Sequence, residues 1–133
     1  MKSRTLLLVI MGLFLSGAIA YAHHSFGAVY DANKTAKIDG ILKTFSLRNP
    51  HSYVNVEAPD ENGVKQRWAL EWGSTSALGS TGVGATTLHV GDHIIVTGHP
   101  SRVASEYRMQ VQTIKRPSDG WTWGTRPGET NVD

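Results

Sequence analysis

Five short stretches of the chain carry β-strand patterning, and a glycine-bearing link of about 20 residues separates the first three from the last two. That spacing constrains the fold more than any other feature. Ile38 to Leu47 reads as a strand of mixed pattern, stopped by Arg48-Asn49-Pro50 because proline donates no ladder hydrogen bond. His51 to Ala58 puts Val54, Val56 and Ala58 on one face and His51, Tyr53, Asn55 and Glu57 on the other. Pro59-Asp60-Glu61-Asn62-Gly63 has the composition of a turn, so Lys65 to Trp72, with Trp68, Leu70 and Trp72 on one face, is expected to complete a hairpin. In 73–91 the alternation breaks. Ser74 is placed to cap a short helix through Leu78, and glycines at 79, 82, 84 and 91 limit that helix to a turn or two. His93 to His99 then places Ile94 and Val96 inward, and Tyr107 to Lys115 places Tyr107, Met109 and Val111 on one face. The expectation is a mainly β fold: a small five-stranded OB-like barrel with a short helical or irregular link between strands 3 and 4.

The organisation around the barrel follows from composition. Lys2 and Arg4 precede an apolar run from Leu6 to Leu15, and small residues fill Ser16 to Ala22. This is the grammar of a secretory signal peptide over 1–22. Ten apolar residues do not span a bilayer core of about 30 Å, so no stable membrane insertion is expected once the signal is removed. The expected location is the periplasm, if the source is a Gram-negative bacterium. A lead-in segment, 23–35, carries Phe26, Val29 and Tyr30, aromatics and an aliphatic suited to docking on the barrel domain, 36–116. The tail, 117–133, has two readings: a loose polar end, or a first part that packs on the barrel through Trp121 and Trp123.

Two of the 13 basic residues and none of the 11 acidic ones fall in the signal, so the remainder carries 11 of each. That balance, with no basic run longer than Lys115-Arg116, speaks against nucleic acid and against a polybasic membrane patch. The chain has no cysteine. An exported domain without disulfides must be held by its core alone.

The end of the signal sets the candidate chemistry. Cutting after Ala22 leaves His23-His24-Ser25-Phe26 at the amino terminus, where the α-amino nitrogen and His23 Nδ1 can chelate one metal ion. Cutting after Ala20 leaves histidine third, the spacing with which an amino group, two amides and an imidazole make the square of nitrogens favoured by Cu(II) and Ni(II). His51, outward on its strand, is a further candidate ligand, and His99, at a strand end, a distant one. His93 lies about 20 Å along the strand from His99, too far to share an ion, and His89 reads as solvated. Met109 reads as core packing and Glu71 as an outward, solvated strand carboxylate.

No catalytic centre is legible. There is no cysteine nucleophile, no serine elbow, and no lysine in frame after the glycines to make a phosphate loop. The chain therefore reads as a binding protein rather than an enzyme, with copper as its candidate cofactor and a copper brace open to oxygen as a minor enzymatic reading. The alternative is a non-metal module that binds a periplasmic protein or small ligand through Tyr53, Asn55, Arg67 and Trp121.

His23-His24-Ser25-Phe26, Asn49-Pro50-His51, Trp68-Ala69-Leu70-Glu71 and Gly91-Asp92-His93-Ile94-Ile95-Val96-Thr97-Gly98 occur together. In this combination the chain resembles a family of small exported bacterial proteins of unknown function, over most of residues 22–116. The glycine-rich link 79–84 departs from the more charged, helical link of those proteins. The resemblance implies an exported β-barrel domain and implies no reaction.

Overall fold

A computed structural model describes residues 26–124. The expected signal peptide, His23, His24 and the end of the tail lie outside the described residues. Six strands follow in order: β1 (Ala36–Ser46), β2 (Ser52–Pro59), β3 (Lys65–Trp72), β4 (His93–Pro100), β5 (Arg108–Arg116) and β6 (Trp121–Trp123). The sheet runs β3-β2-β1-β4-β5-β6, and a parallel pairing of β3 with β5 closes the first five strands into a barrel. This is the expected OB-like topology, with an antiparallel sixth strand added along β5.

The alternation in the sequence becomes the core. Leu42, Val54, Val56, Leu70, Ile94, Val96, Met109 and Ile114 are all fully buried inside the barrel. Burying such side chains contributes about 1.5–3 kcal/mol each against an exposed reference. Two bulges explain where simple alternation fails. In β1 the register with β2 slips between Leu42 and Thr44, so Leu42 and Phe45 both turn toward the core around Lys43. In β5 the pairing passes from Thr113 to Val111 opposite the consecutive residues Thr97 and Gly98, which leaves Gln112 exposed and lets Ile114 replace an alternating partner. An inserted residue of this kind bends a strand and sharpens its twist, which a small barrel needs.

β1 begins two residues earlier than the pattern of Ile38 to Leu47 indicates and stops before Leu47. β5 starts at Arg108 rather than Tyr107, because Tyr107 sits in the left-handed region at φ 47°, ψ 52° and cannot continue the ladder. Between β3 and β4 a short helix α1 (Thr75–Gly79) forms where Ser74 caps it, the Ser74 hydroxyl accepting from the Ala77 N–H at 3.2 Å. Leu78 on this helix, with Val83 and Leu88 from the turns after it, adds to the core. The Trp123 ring packs edge-on against Trp72 at 4.9 Å, and its indole N–H reaches Thr81 Oγ1. Of the two readings of the tail, its first part therefore takes the packed one. No helix among the described residues is long and apolar enough to cross a membrane.

The lead-in segment forms a strap along the outside of the barrel. A helical turn spans 26–29. Tyr30 then bridges to Ser101, Asp31 N–H donates to the Pro100 carbonyl and Arg102 N–H to the Val29 carbonyl.

Candidate functional site

The strap places aromatic groups over the outer faces of β3 and β5. Tyr30 is 2% exposed, and its phenol donates to Glu71 Oε2 at 2.5 Å. Glu71 alternates outward between Leu70 and Trp72, yet only 8% of it reaches solvent. The solvated carboxylate expected from the strand pattern is thus corrected. The strap covers it, and strap and β3 are joined only by tertiary folding.

A buried carboxylate needs partners, because desolvation of a charge is costly when it is not compensated. Glu71 has three. Tyr30 donates to Oε2, Arg108 Nη2 lies 3.7 Å from the same oxygen, and His51 Nδ1 lies 3.7 Å from Oε1. Arg108 also donates to the Tyr30 phenol oxygen at 3.4 Å and lies 5.7 Å from the centre of its ring. Burial, the hydrogen bond to Glu71 and that group's negative charge together push the Tyr30 phenol well above its usual range. Tyr30 therefore stays a proton donor.

His51 stands at the end of this network. It follows a cis Asn49–Pro50 peptide and directly precedes β2. The Phe26 ring meets its imidazole edge to face, with centroids 4.9 Å apart and planes at 79°. Beside them a groove of about 350 Å³ is lined by His51, Glu71, Trp72, Ser74, Gln110 and Trp123, among others. His51 Nδ1 thus faces the carboxylate at 3.7 Å, an electrostatic contact longer than a hydrogen bond, on the opposite side of the ring from Nε2.

The other candidates are placed as follows. His99 Nδ1 donates to the Lys34 carbonyl at 2.9 Å. His99 is in register with Gln110, and Gln110 with Glu71, so two strand spacings, about 10 Å, separate its backbone from that of Glu71. His93 Nε2 lies 2.6 Å from Asp39 Oδ1, on the opposite end of β4. Met109 is fully buried. Tyr53, Asn55 and Arg67 share the outer face of the β2–β3 ribbon, where Tyr53 lies under the Arg48 guanidinium and Asn55 donates to Thr44 Oγ1 at 2.6 Å. Trp121 does not join them. It lies on β6 opposite Arg116, whose guanidinium is 5.5 Å from its ring. Among the described residues no group of three or more histidine and acidic side chains is arranged to hold a metal ion.

Tyr30 docks on the barrel as its place in the lead-in segment indicates, but its bond to Glu71, and Arg108 beside it, are not legible in the sequence. The one available signal is that Glu71 is a lone acid between Leu70 and Trp72, and it gives no hint that Tyr30 meets it.

The model of a family of unknown function, DUF6152, matches residues 12–110, and the chain belongs to that family. No curated protein matches the chain. Among solved structures, the mitochondrial single-stranded DNA-binding protein Rim1 from S. cerevisiae is similar over 63% of this chain and 93% of that one, with 10% identity and a TM-score of 0.46.

Proposed function

We propose that this member of a family of unknown function is an exported periplasmic protein that binds a transition metal, Cu(II) foremost, between its processed N-terminal histidines and His51. The role is binding, for storage, delivery or tolerance, rather than catalysis. The supporting observation is the contact of Phe26 with His51. Consecutive Cα atoms are 3.8 Å apart, so the backbones of His24 and His23 lie within about 8 and 11 Å of that of Phe26 whatever path the chain takes. An α-amino nitrogen, an N-terminal imidazole and His51 Nε2 then make a nitrogen donor set that suits copper in the usual order of affinities. The Glu71 carboxylate places a negative charge 3.7 Å from His51 Nδ1, and Tyr30 and Arg108 hold the carboxylate. His99, tied to Lys34, stays outside this set.

The test is Cu(II) titration of the secreted protein, with its N-terminus read by intact mass. One equivalent bound with submicromolar affinity, and lost when one extra residue precedes the mature terminus, is the expected result. Equal affinity in the extended form, or no binding by the processed form, overturns the reading.

A second reading rests on the β2–β3 ribbon, where Tyr53, Asn55 and Arg67 share one outward face. That face would bind a periplasmic protein, with capture depending on Tyr53 and Arg67 and surviving removal of His23 and His24. Trp121, on β6, takes no part in it.

A further inference from the structure

We infer that a second groove, of about 890 Å³, binds a neutral, hydroxyl-rich ring ligand of the oligosaccharide class. It opens between the end of the strap, the β2–β3 turn and the segment joining β4 to β5, and Trp68 and Tyr107 line it. Its size lies within the range of small-molecule sites.

Three observations select the ligand. The first is the aromatic pair. Tyr107 meets Trp68 edge to face at 5.2 Å and reaches Asp60 Oδ2 through its hydroxyl at 3.4 Å. It does so from a left-handed backbone conformation, φ 47°, which is disfavoured for a bulky residue and persists where surrounding structure imposes it, often at ligand sites. Two half-buried ring systems give the carbon-bound face of a sugar an apolar surface to lie on.

The second is charge. Lys34, Arg102 and Arg108 face the groove, and so do Asp31, Asp60 and Glu61. The cations already have counter-charges: Asp31 lies 3.8 Å from Lys34 and 4.0 Å from Arg102, while Glu106 and Glu71 lie 3.9 and 3.7 Å from Arg108. A polyanion finds no uncompensated positive stripe there, whereas a neutral ligand with many hydroxyls finds donors and acceptors in quantity.

The third is the Trp68 indole. Its N–H is buried and has no acceptor among the described residues. The Trp72 indole N–H is in the same state, but of the two only Trp68 lines this groove, where a ligand oxygen reaching its N–H would offset a cost that the free protein carries.

The site is independent of the N-terminal histidines. The test is calorimetric titration of the full secreted chain with two neutral probes, chitotetraose and cellotetraose, and with a dT oligonucleotide as the charged alternative. Saturable binding of at least one saccharide is expected, weakened about tenfold or more by Tyr107→Gly. Glycine accepts the left-handed backbone, so the variant keeps the turn but gives up the packing on Trp68 and the bond to Asp60, and its binding is read well below its own thermal midpoint. Glu61→Ala, at an exposed position, gives a second variant with no folding risk and weakens saccharide binding alone. Failure of both saccharides at millimolar concentration overturns the inference, as does binding that ignores Tyr107→Gly, or tighter binding of the oligonucleotide.

Discussion

Tyr30 donates a 2.5 Å hydrogen bond to Glu71 across 41 positions of sequence, and with it fastens the strap to the third strand of the barrel. The bond is buried at both ends. Replacing Tyr30 with phenylalanine keeps the ring and deletes the donor, leaving a buried carboxylate one partner short. A loss of about 1–3 kcal/mol is expected, read as a lower urea midpoint with an unchanged slope. An unchanged midpoint would mean that Arg108 and His51 compensate Glu71 without the phenol.

The same carboxylate bears on the proposed metal site. Glu71→Gln retains the shape and removes the charge that faces His51 Nδ1. Losing such a partner typically costs 10–100-fold in metal affinity. A drop of about that size in Cu(II) affinity, with the circular dichroism spectrum unchanged, is the expected outcome, and undiminished affinity would exclude Glu71 from any role in holding the ligand.

Acid sensitivity has a source at the Arg116 end of β5. Burial pushes Asp92 up, but the hydrogen bonds from the His89 N–H and the Arg116 guanidinium outweigh it and hold the carboxyl below its usual range. Asp119 is lowered by its hydrogen bonds from Arg116 and the Trp121 N–H. A carboxylate depressed in the folded state contributes stability that is present above its unfolded pKa, about 3.9, and is lost as pH falls through the lower folded value. Stability measured from pH 7 downward is expected to hold and then fall below about pH 4. Asp92→Asn should be less stable at pH 7 and show a shallower acid loss; an identical acid slope would remove Asp92 from the account.

Gly40 sits where β1 bends across β2. A Cβ there meets the Glu57 carbonyl oxygen, and lies 2.8 Å from both Ala58 Cβ and Val56 Cγ1. Backbone and fully buried side chains cannot yield cheaply, so Gly40→Ala is expected to cost about 1–3 kcal/mol. Gly63→Ala is the useful contrast: open space surrounds its Cβ, but its φ is 77°, so any cost there is conformational. Thermal midpoints of the two variants separate crowding from backbone strain.

Local alternation made much of the barrel legible. β3 runs from Lys65 to Trp72 as the pattern indicates, and Ser74 caps its helix as its position predicts. The bulges at Lys43 and Gln112 were not legible, because an extra residue betrays itself only against a partner strand. The site divides the same way. His51 stood out by its place after Pro50 and its outward parity. The burial of Glu71 was hidden, since it depends on a strap 41 positions earlier folding across two strands. The Trp121 indole read as part of a binding face because its strand, β6, is too short to show periodicity.

The barrel's closure rests on its shortest ladder. Three parallel pairs, Ala69 with Arg108, Leu70 with Met109 and Glu71 with Gln110, complete the ring, whereas β2 and β3 share eight antiparallel pairs. Such a zip opens first, and the strap crosses it: fixed to β4's exit through Ser101, it grips the far side through Glu71. Any ligand that binds only the strapped form adds its binding energy to keeping the zip shut. The amide of Ala69, bonded to the Tyr107 carbonyl at that zip, would thus gauge occupancy at a distance: on the proposed metal reading, its deuterium exchange is expected to slow when Cu(II) is added.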